Sequence, residues 1–187
     1  MTTLEELLAD PWFPFEGDVR VKQLLPRQVP EPERHHVRAE DCRVCAQDDS
    51  DYIWTDEHWR LRGDGEPGPI AGIVLLEPRG HYDSFADLPP ELLAELGPLT
   101  ARIERALLTL RDVARIHVAR WGDGSGHFHL WFFPRPLGQL QLRGSMLPVW
   151  LDVLPPLPPA EKAAALTWVA AALATSDPAG TSGAAWD

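Results

Sequence analysis

One short segment carries the clearest structural signal of this chain, and it reads Gly126-His127-Phe128-His129-Leu130-Trp131-Phe132-Phe133-Pro134-Arg135. Side chains of a β-strand point alternately to its two faces. If this segment is a strand, one face carries Phe128, Leu130 and Phe132, a set typical of a core-facing surface. The other face carries His127, His129, Trp131 and Phe133, and a Gly-rich loop leads the chain into it. We expect the chemistry of the protein where this loop meets the two histidines.

Further strands are predicted on both sides of a long helix. A hairpin is expected within 52–61, an apolar strand at 71–78 and another strand at 116–121. Two or three strands, one helix and then two strands are typical of an α+β fold. We therefore predict an antiparallel sheet of about five strands with one long helix packed on it.

The long helix is predicted from about Pro89 to Arg111. Its apolar residues recur at steps of three and four, which places them in one core-facing stripe: Leu92, Leu96, Leu99, Ile103, Leu107 and Leu110. Gly97-Pro98 interrupts this pattern, and a proline removes one hydrogen bond from a helix. We expect the helix to kink or split there.

The predicted domain covers residues 35–140, with an extension on each side. Residues 1–34 combine a short helical opening with a linker that contains Pro26, Pro30 and Pro32. In residues 141–187, a proline-rich connector precedes a helix near 160–174, and the Gly/Ser/Ala-rich tail from Thr175 is expected to be loose.

The overall charge limits the possible partners. The 187 residues have a net charge of −11, which repels the phosphate backbone of nucleic acids. No stretch is long and apolar enough to span a bilayer, and the N-terminus lacks the basic and apolar regions of a signal peptide. We therefore expect a cytoplasmic protein with a small-molecule ligand and with neither nucleic acid nor membrane as partner.

Cys42 and Cys45 are the only cysteines and have the spacing C-x-x-C. In a reducing compartment this spacing indicates a metal or redox pair, although two reduced, partly buried cysteines would be as common. A tetrahedral zinc site needs two more ligands. Among the seven histidines, His81 and His127 are the better candidates because each lies at a strand end beside a glycine.

These motifs, in this order, resemble the histidine-triad superfamily, which includes galactose-1-phosphate uridylyltransferase. Its signature alternates three histidines with apolar residues on a strand, and here that strand is His127-Phe128-His129-Leu130-Trp131-Phe132-Phe133. A strand that ends in proline, a basic residue and then histidine is matched by Pro78-Arg79-Gly80-His81. A Gly/Ser loop and a preceding C-x-x-C are matched as well. The resemblance covers about residues 41–136.

The resemblance implies a role for each matched residue. Cys42, Cys45, His81 and His127 correspond to the ligands of a structural zinc ion. His129 corresponds to the nucleophile, which attacks the α-phosphorus of a nucleotide to form a nucleotidyl-histidine. The resemblance therefore implies a nucleotide hydrolase or nucleotidyltransferase that takes a small phosphorylated ligand, and it also suggests a homodimer.

Further ligand contacts are implied around this nucleophile. The loop residues Gly124, Ser125 and Gly126 would bind phosphate oxygens through backbone amides. Asp64, in the segment Asp64-Gly65-Glu66-Pro67, would lie near the ribose. Trp131 stands at the third triad position, where hydrolases of the family use a histidine to bind phosphate and assist the leaving group.

Trp131 leaves three functions open. Its indole has one neutral N–H donor and no titratable proton, so it is unable to act as a general acid. The protein is then an active transferase or hydrolase, a nucleotide-binding protein without turnover, or a structural zinc protein. The third alternative expects protein side chains, such as those of residues 147–154, to fill the space in front of Trp131.

Overall fold

A computed structural model of the chain describes residues 3–65 and 67–175. The helices in these residues are α1 (Leu4–Ala9), α2 (Arg43–Ala46), α3 (Pro90–Leu108), α4 (Leu147–Val153) and α5 (Pro159–Thr175). The strands are β1 (Trp54–Thr55), β2 (Trp59–Gly63), β3 (Val74–Pro78), β4 (Val113–Ala119) and β5 (Leu130–Pro136).

The five strands form one antiparallel sheet in the order β1-β2-β3-β5-β4, which confirms the predicted α+β architecture. The register aligns one row of residues across the middle of the sheet, because Arg62 lies opposite Leu75, Leu75 opposite Trp131, and Trp131 opposite Ala119. Paired residues of neighbouring strands point to the same face. The alternate residues, including Leu61, Leu76 and Phe132, face the main core instead.

Two helices cover the core-facing side of the sheet. The predicted stripe of α3 is buried there from Leu92 to Leu107, and Leu110 packs against it. Helix α5, which lies beyond residue 140, adds the fully buried Val169 and Leu173 to the same core. The opposite face of the sheet is covered only in part, by a smaller cluster that includes Phe133, Leu142 and Leu147.

Of the two outcomes predicted at Pro98, a kink or a split, the structure excludes the split. Helix α3 runs as one 19-residue helix through this proline. Residues on both sides of Pro98, including Leu96, Leu99 and Ile103, are buried in the core. Their packing offsets the roughly 3 kcal/mol that a proline costs inside a helix.

The histidine segment also differs from a regular strand. β5 begins at Leu130, so His127, Phe128 and His129 precede it. The amide of Phe128 donates to the carbonyl oxygen of Tyr82 at 2.6 Å, outside any regular strand ladder. The predicted alternation nevertheless holds, because Phe128 is buried in the same core as Leu130 and Phe132.

The N-terminal segment is attached close to these histidines. Arg34 Nη1 donates to Asp83 Oδ1 at 2.8 Å and to the carbonyl oxygen of Gly122 at 2.7 Å.

The ends of the chain were predicted to contain a short opening helix and a loose tail. The opening helix is present as α1, with Thr3 as its N-cap in a capping box with Glu6. The tail was predicted to be loose from Thr175, but Thr175 is the last residue of α5, and 176–187 lie outside the described residues. None of the described helices has the length and apolar character required to cross a membrane.

Candidate metal centre and ligand cleft

Four side chains from three separate segments meet in one cluster. Ligand atoms of Cys42, Cys45, His81 and His127 all lie within 4.8 Å of one another. Cys42 Sγ is 3.3 Å from His127 Nδ1, and Cys45 Sγ is 3.4 Å from His81 Nδ1. A tetrahedral zinc ion would separate its sulfur and nitrogen ligands by roughly 3.5 Å. The donor set and its spacing therefore suit a tetrahedral metal site.

The remaining ring nitrogen of each histidine is bonded to a backbone carbonyl. His127 Nε2 lies 3.0 Å from the oxygen of Pro78, and His81 Nε2 lies 3.1 Å from the oxygen of Val37. A carbonyl oxygen only accepts hydrogen bonds, so both Nε2 atoms carry the proton. Both Nδ1 lone pairs then face the cysteines, in the arrangement by which outer carbonyls orient metal-bound histidines.

Burial changes the protonation of this cluster. Loss of solvent and the neighbouring Cys42 raise the pKa of the Cys45 thiol to about 11. Loss of solvent also lowers the pKa of His127 below its usual value and so favours the neutral, ligating form. A bound cation would stabilise the Cys45 thiolate, and metal binding is therefore coupled to release of the thiol protons.

His129 has one defined tautomer. Its Nδ1 donates to the backbone carbonyl oxygen of His127 at 2.9 Å, so in the neutral ring the lone pair is on Nε2. His129 lines a cavity of about 530 Å³ on the face of the sheet opposite the main core. His127 thus has two roles, because its side chain belongs to the Cys42, Cys45, His81 and His127 cluster and its carbonyl oxygen accepts from His129.

Residues of the Gly-rich loop have two different surroundings, since some line this cavity and Gly126 contacts the segment 35–37. Gly124 and Ser125 line the cavity. The amide of Gly126 instead donates to the carbonyl oxygen of His35 at 2.7 Å and is not available to a phosphate in this conformation. A Cβ on Gly126 would lie 2.8 Å from Val37 Cα, which explains why glycine is required at this position.

An aromatic cluster forms one wall of the cavity. Trp131 lines it and stacks nearly parallel on Phe133, with an interplanar angle of 8° and ring centroids 5.5 Å apart. Trp121 lines it too and contacts both rings at tilted angles. Trp131 thus packs against Phe133, while the space in front of His129 and Trp131 remains open.

The cavity lining includes none of residues 147–154, but that segment belongs to a second apolar cluster together with two of these rings. Leu147 is buried there with Phe133, and Trp131 packs against the same cluster, as do Trp150, Leu151 and Leu154. The third alternative is thus met in part, because this segment packs near Trp131 without filling the cavity.

Two ion pairs lie at the cavity, and the sequence pattern had revealed neither of them. Arg62 Nη2 is 2.9 Å from Glu77 Oε1, and Glu77 is buried. Asp64, the predicted ribose contact, pairs with Lys162 of α5 at 2.8 Å. Arg62 and Glu77 each follow a core-facing leucine, Leu61 on β2 and Leu76 on β3. This alternation is a signal that could have indicated a polar cavity floor.

Comparisons with known proteins show the fold. No family model matches the chain, and no curated protein does either. Among solved structures, a hypothetical histidine triad nucleotide-binding protein from Sulfolobus tokodaii matches with a TM-score of 0.55 and 15% identity. The match covers 71% of this chain and 92% of that protein.

Two other solved structures agree with this result. A zinc-bound histidine triad family protein from Mycobacterium smegmatis matches with a TM-score of 0.54 and 24% identity, over 73% of this chain and 96% of its own. A histidine triad protein from Marinobacter aquaeolei matches with a TM-score of 0.53 and 20% identity, over 67% and 90%. The chain has the histidine-triad fold that its sequence motifs predicted.

Proposed function

We propose that this protein binds a nucleotide or nucleoside-phosphate compound in the cavity and transfers or hydrolyses its nucleotidyl group through His129. The observation that carries the proposal is the bond from His129 Nδ1 to the carbonyl oxygen of His127, on a residue that lines the cavity. In the neutral imidazole this bond places the free lone pair on Nε2, which is the proposed nucleophile. The cavity volume of about 530 Å³ is within the usual range for small-molecule sites.

The proposed reaction has two displacements. His129 Nε2 forms a bond to the α-phosphorus as the bond from phosphorus to the leaving-group oxygen breaks, and the leaving group keeps that electron pair. Water or a second substrate then attacks the phosphorus, gives up its proton, and releases Nε2. Backbone amides of Gly124 and Ser125 are proposed to bind the phosphate oxygens. Asp64 keeps its ion pair with Lys162 and is proposed to lie near the ribose.

The cluster of Cys42, Cys45, His81 and His127 is proposed to hold a structural zinc ion. Bound zinc would cross-link three segments: the one with Cys42 and Cys45, the one with His81 after β3, and the one with His127 before β5. Because His127 belongs to the cluster and its carbonyl orients His129, this cross-link would keep the nucleophile in place. The ion itself has no proposed part in the displacement.

Trp131 restricts the proposed substrates. Since this side chain supplies no proton, a leaving group that departs as a stable anion, such as a phosphate, is favoured over an alcohol or an amine. The same residue supports a second candidate function, nucleotide binding without turnover. Its stacking on Phe133 and its bulk on the cavity wall favour that alternative.

Trapping of the covalent intermediate tests the proposal. Wild-type protein incubated with a panel of α-³²P-labelled nucleotides should retain acid-labile label after rapid denaturation, while His129→Ala should retain none. His58→Ala is the matched control, because His58 lies outside the cavity, bonded to Glu95 at 3.0 Å. Equal labelling of wild type and His129→Ala would exclude His129 as the nucleophile.

The binding-only alternative gives a different result in the same assay. The wild type would bind nucleotide in a dialysis experiment without forming label or product, and Trp131→His would gain hydrolysis. Robust product formation by the wild type would eliminate this alternative. The homodimer implied by the resemblance remains a separate proposal, which sedimentation equilibrium would test.

A further inference from the structure

Four formally charged side chains line the cavity: Arg43, Arg62, Asp64 and Glu77. Three of them are neutralised by protein partners. Arg62 pairs with Glu77, and Asp64 pairs with Lys162, which is not part of the lining. Arg43 is different, because no ion pair or side-chain hydrogen bond involves its guanidinium among residues 3–65 and 67–175. The cavity therefore carries one uncompensated positive charge, in a chain whose net charge is −11.

The backbone at Arg43 is held firmly even though the side chain is exposed. Arg43 lies between Cys42 and Cys45, both members of the four-residue cluster. Its amide donates to His36 Nδ1 at 3.4 Å, and His36 also lines the cavity. The backbone that carries the guanidinium is therefore fixed at the edge of the cavity, so no backbone entropy has to be lost when the side chain binds a ligand.

The nearest acidic side chains in sequence do not neutralise Arg43. Asp41 accepts a hydrogen bond from Arg38 Nε at 2.9 Å, and Glu40 lies 3.7 Å from the same atom. Arg38 is therefore the cation that these two carboxylates engage. An arginine that faces a cavity without a carboxylate partner has five N–H donors available to an incoming anion.

We propose that Arg43 binds a second anionic group of the ligand, separate from the phosphate that reacts at His129. The planar guanidinium fits two oxygens of a phosphate or of a carboxylate equally well. The ligand class is then a nucleotide with a further phosphate or carboxylate beyond its α-phosphate. This inference rests on the proposed function, since it places the α-phosphate at His129.

Binding of three non-cleavable probes tests the subsite. Isothermal titration with zinc-loaded protein would compare adenosine 5′-monophosphate with adenosine 5′-methylenediphosphate and with adenosine 5′-phosphonoacetate. The second probe adds a phosphonate and the third a carboxylate. In the wild type, at least one of them should bind about tenfold more tightly than the monophosphate, as expected for one charge-assisted contact. The tighter of the two identifies the anion.

Arg43→Gln should remove this advantage and leave the affinity for the monophosphate unchanged. Arg43→Lys should retain part of it, because lysine keeps the charge and loses the bidentate fork. Arg115→Gln is the matched control, since Arg115 is exposed, does not line the cavity and donates from its side chain to the carbonyl oxygen of Ala114. It leaves Asp41 and Glu40 paired with Arg38, and it should bind all probes as the wild type does.

Two results would overturn the inference, and they are distinguishable. If the wild type binds all three probes with equal affinity, or if Arg43→Gln keeps the advantage, the Arg43 subsite is wrong and the proposed nucleotide site stands. If no probe binds to the wild type, the proposed nucleotide site fails, and the subsite fails with it.

Discussion

Gly126→Ala is the substitution whose consequence follows most directly from the structure. A Cβ at this position would lie 2.8 Å from Val37 Cα, 2.9 Å from the carbonyl oxygen of His36 and 3.2 Å from Val37 N. All three atoms belong to the backbone, so no side-chain rotation relieves the contact. The segment 35–37 would have to move away from the loop.

The cost of that movement follows from the contacts it breaks. The bond from the Gly126 amide to the oxygen of His35 (2.7 Å) would be lost, at about 1 kcal/mol. Overpacking that shifts a backbone costs about 1–3 kcal/mol. The free energy of unfolding should therefore fall by about 2–4 kcal/mol, which corresponds to a decrease in Tm of roughly 4–16 °C for a chain of this size.

The same movement should weaken the metal site. Val37 supplies the carbonyl oxygen that accepts from His81 Nε2 at 3.1 Å. Loss of such an outer partner reduces metal affinity by about 10–100-fold. Gly126→Ala should thus lower zinc affinity without altering any ligand, which competition with a fluorescent zinc chelator would measure.

Gly124→Ala provides the control for both measurements. This glycine lies two residues away in the same loop, has no atom within 4 Å of the position that a Cβ would occupy, and lies outside the left-handed region. Urea unfolding followed by tryptophan fluorescence should place it within about 0.5 kcal/mol of wild type. If Gly126→Ala and Gly124→Ala were equally stable, the close approach of segment 35–37 to the loop would be refuted.

Three further predictions concern the metal site, the N-terminal attachment and α5. Elemental analysis should find one zinc per chain in the wild type and none in Cys45→Ser. A chelator should lower the stability of the wild type and leave that of Cys45→Ser unchanged. The Arg34 guanidinium holds the pKa of Asp83 below its usual range, so the stability that Asp83 adds over Asp83→Asn should be present above about pH 4 and lost as pH falls through the folded pKa. Both side chains are about one-third exposed, and urea titrations across pH should therefore find less than about 1 kcal/mol. Leu173→Ala should lower the free energy of unfolding by about 2–5 kcal/mol in thermal or urea unfolding, because Leu173 is fully buried in the core beside α3. An unchanged free energy of unfolding would mean that α5 is not part of the core.

The parts of the fold that were predictable depend on local patterns. The alternation of Phe128, Leu130 and Phe132 and the stripe of α3 follow from the periods of a strand and a helix, and both face the core as expected. Of the predicted kink or split at Pro98, the split was wrong, since packing on both sides of the proline outweighs its local cost.

The candidate site was predictable to a different extent. Spacing and family resemblance were enough to select the four cluster residues, because each motif is short and its cysteine or histidine side chains are metal-binding types that can be recognised in the sequence. The pairing of Asp64 with Lys162 joins residues 98 positions apart, and nothing local to either residue indicates it. The role of Gly126 was likewise hidden, since its amide and its missing side chain both face a segment about 90 residues earlier in the chain.

The sequence by itself determined the classes of element, the core-facing residues and the donor types of the metal cluster, because these depend on periodicity and on side-chain chemistry. Only the tertiary structure decided which of those groups are free to act. It turned His127 toward the cysteines and its carbonyl toward His129, engaged Arg62, Asp64 and Glu77 in ion pairs, and left Arg43 facing the cavity. Those assignments depend on distances between remote segments, and such distances exist only once the chain has folded.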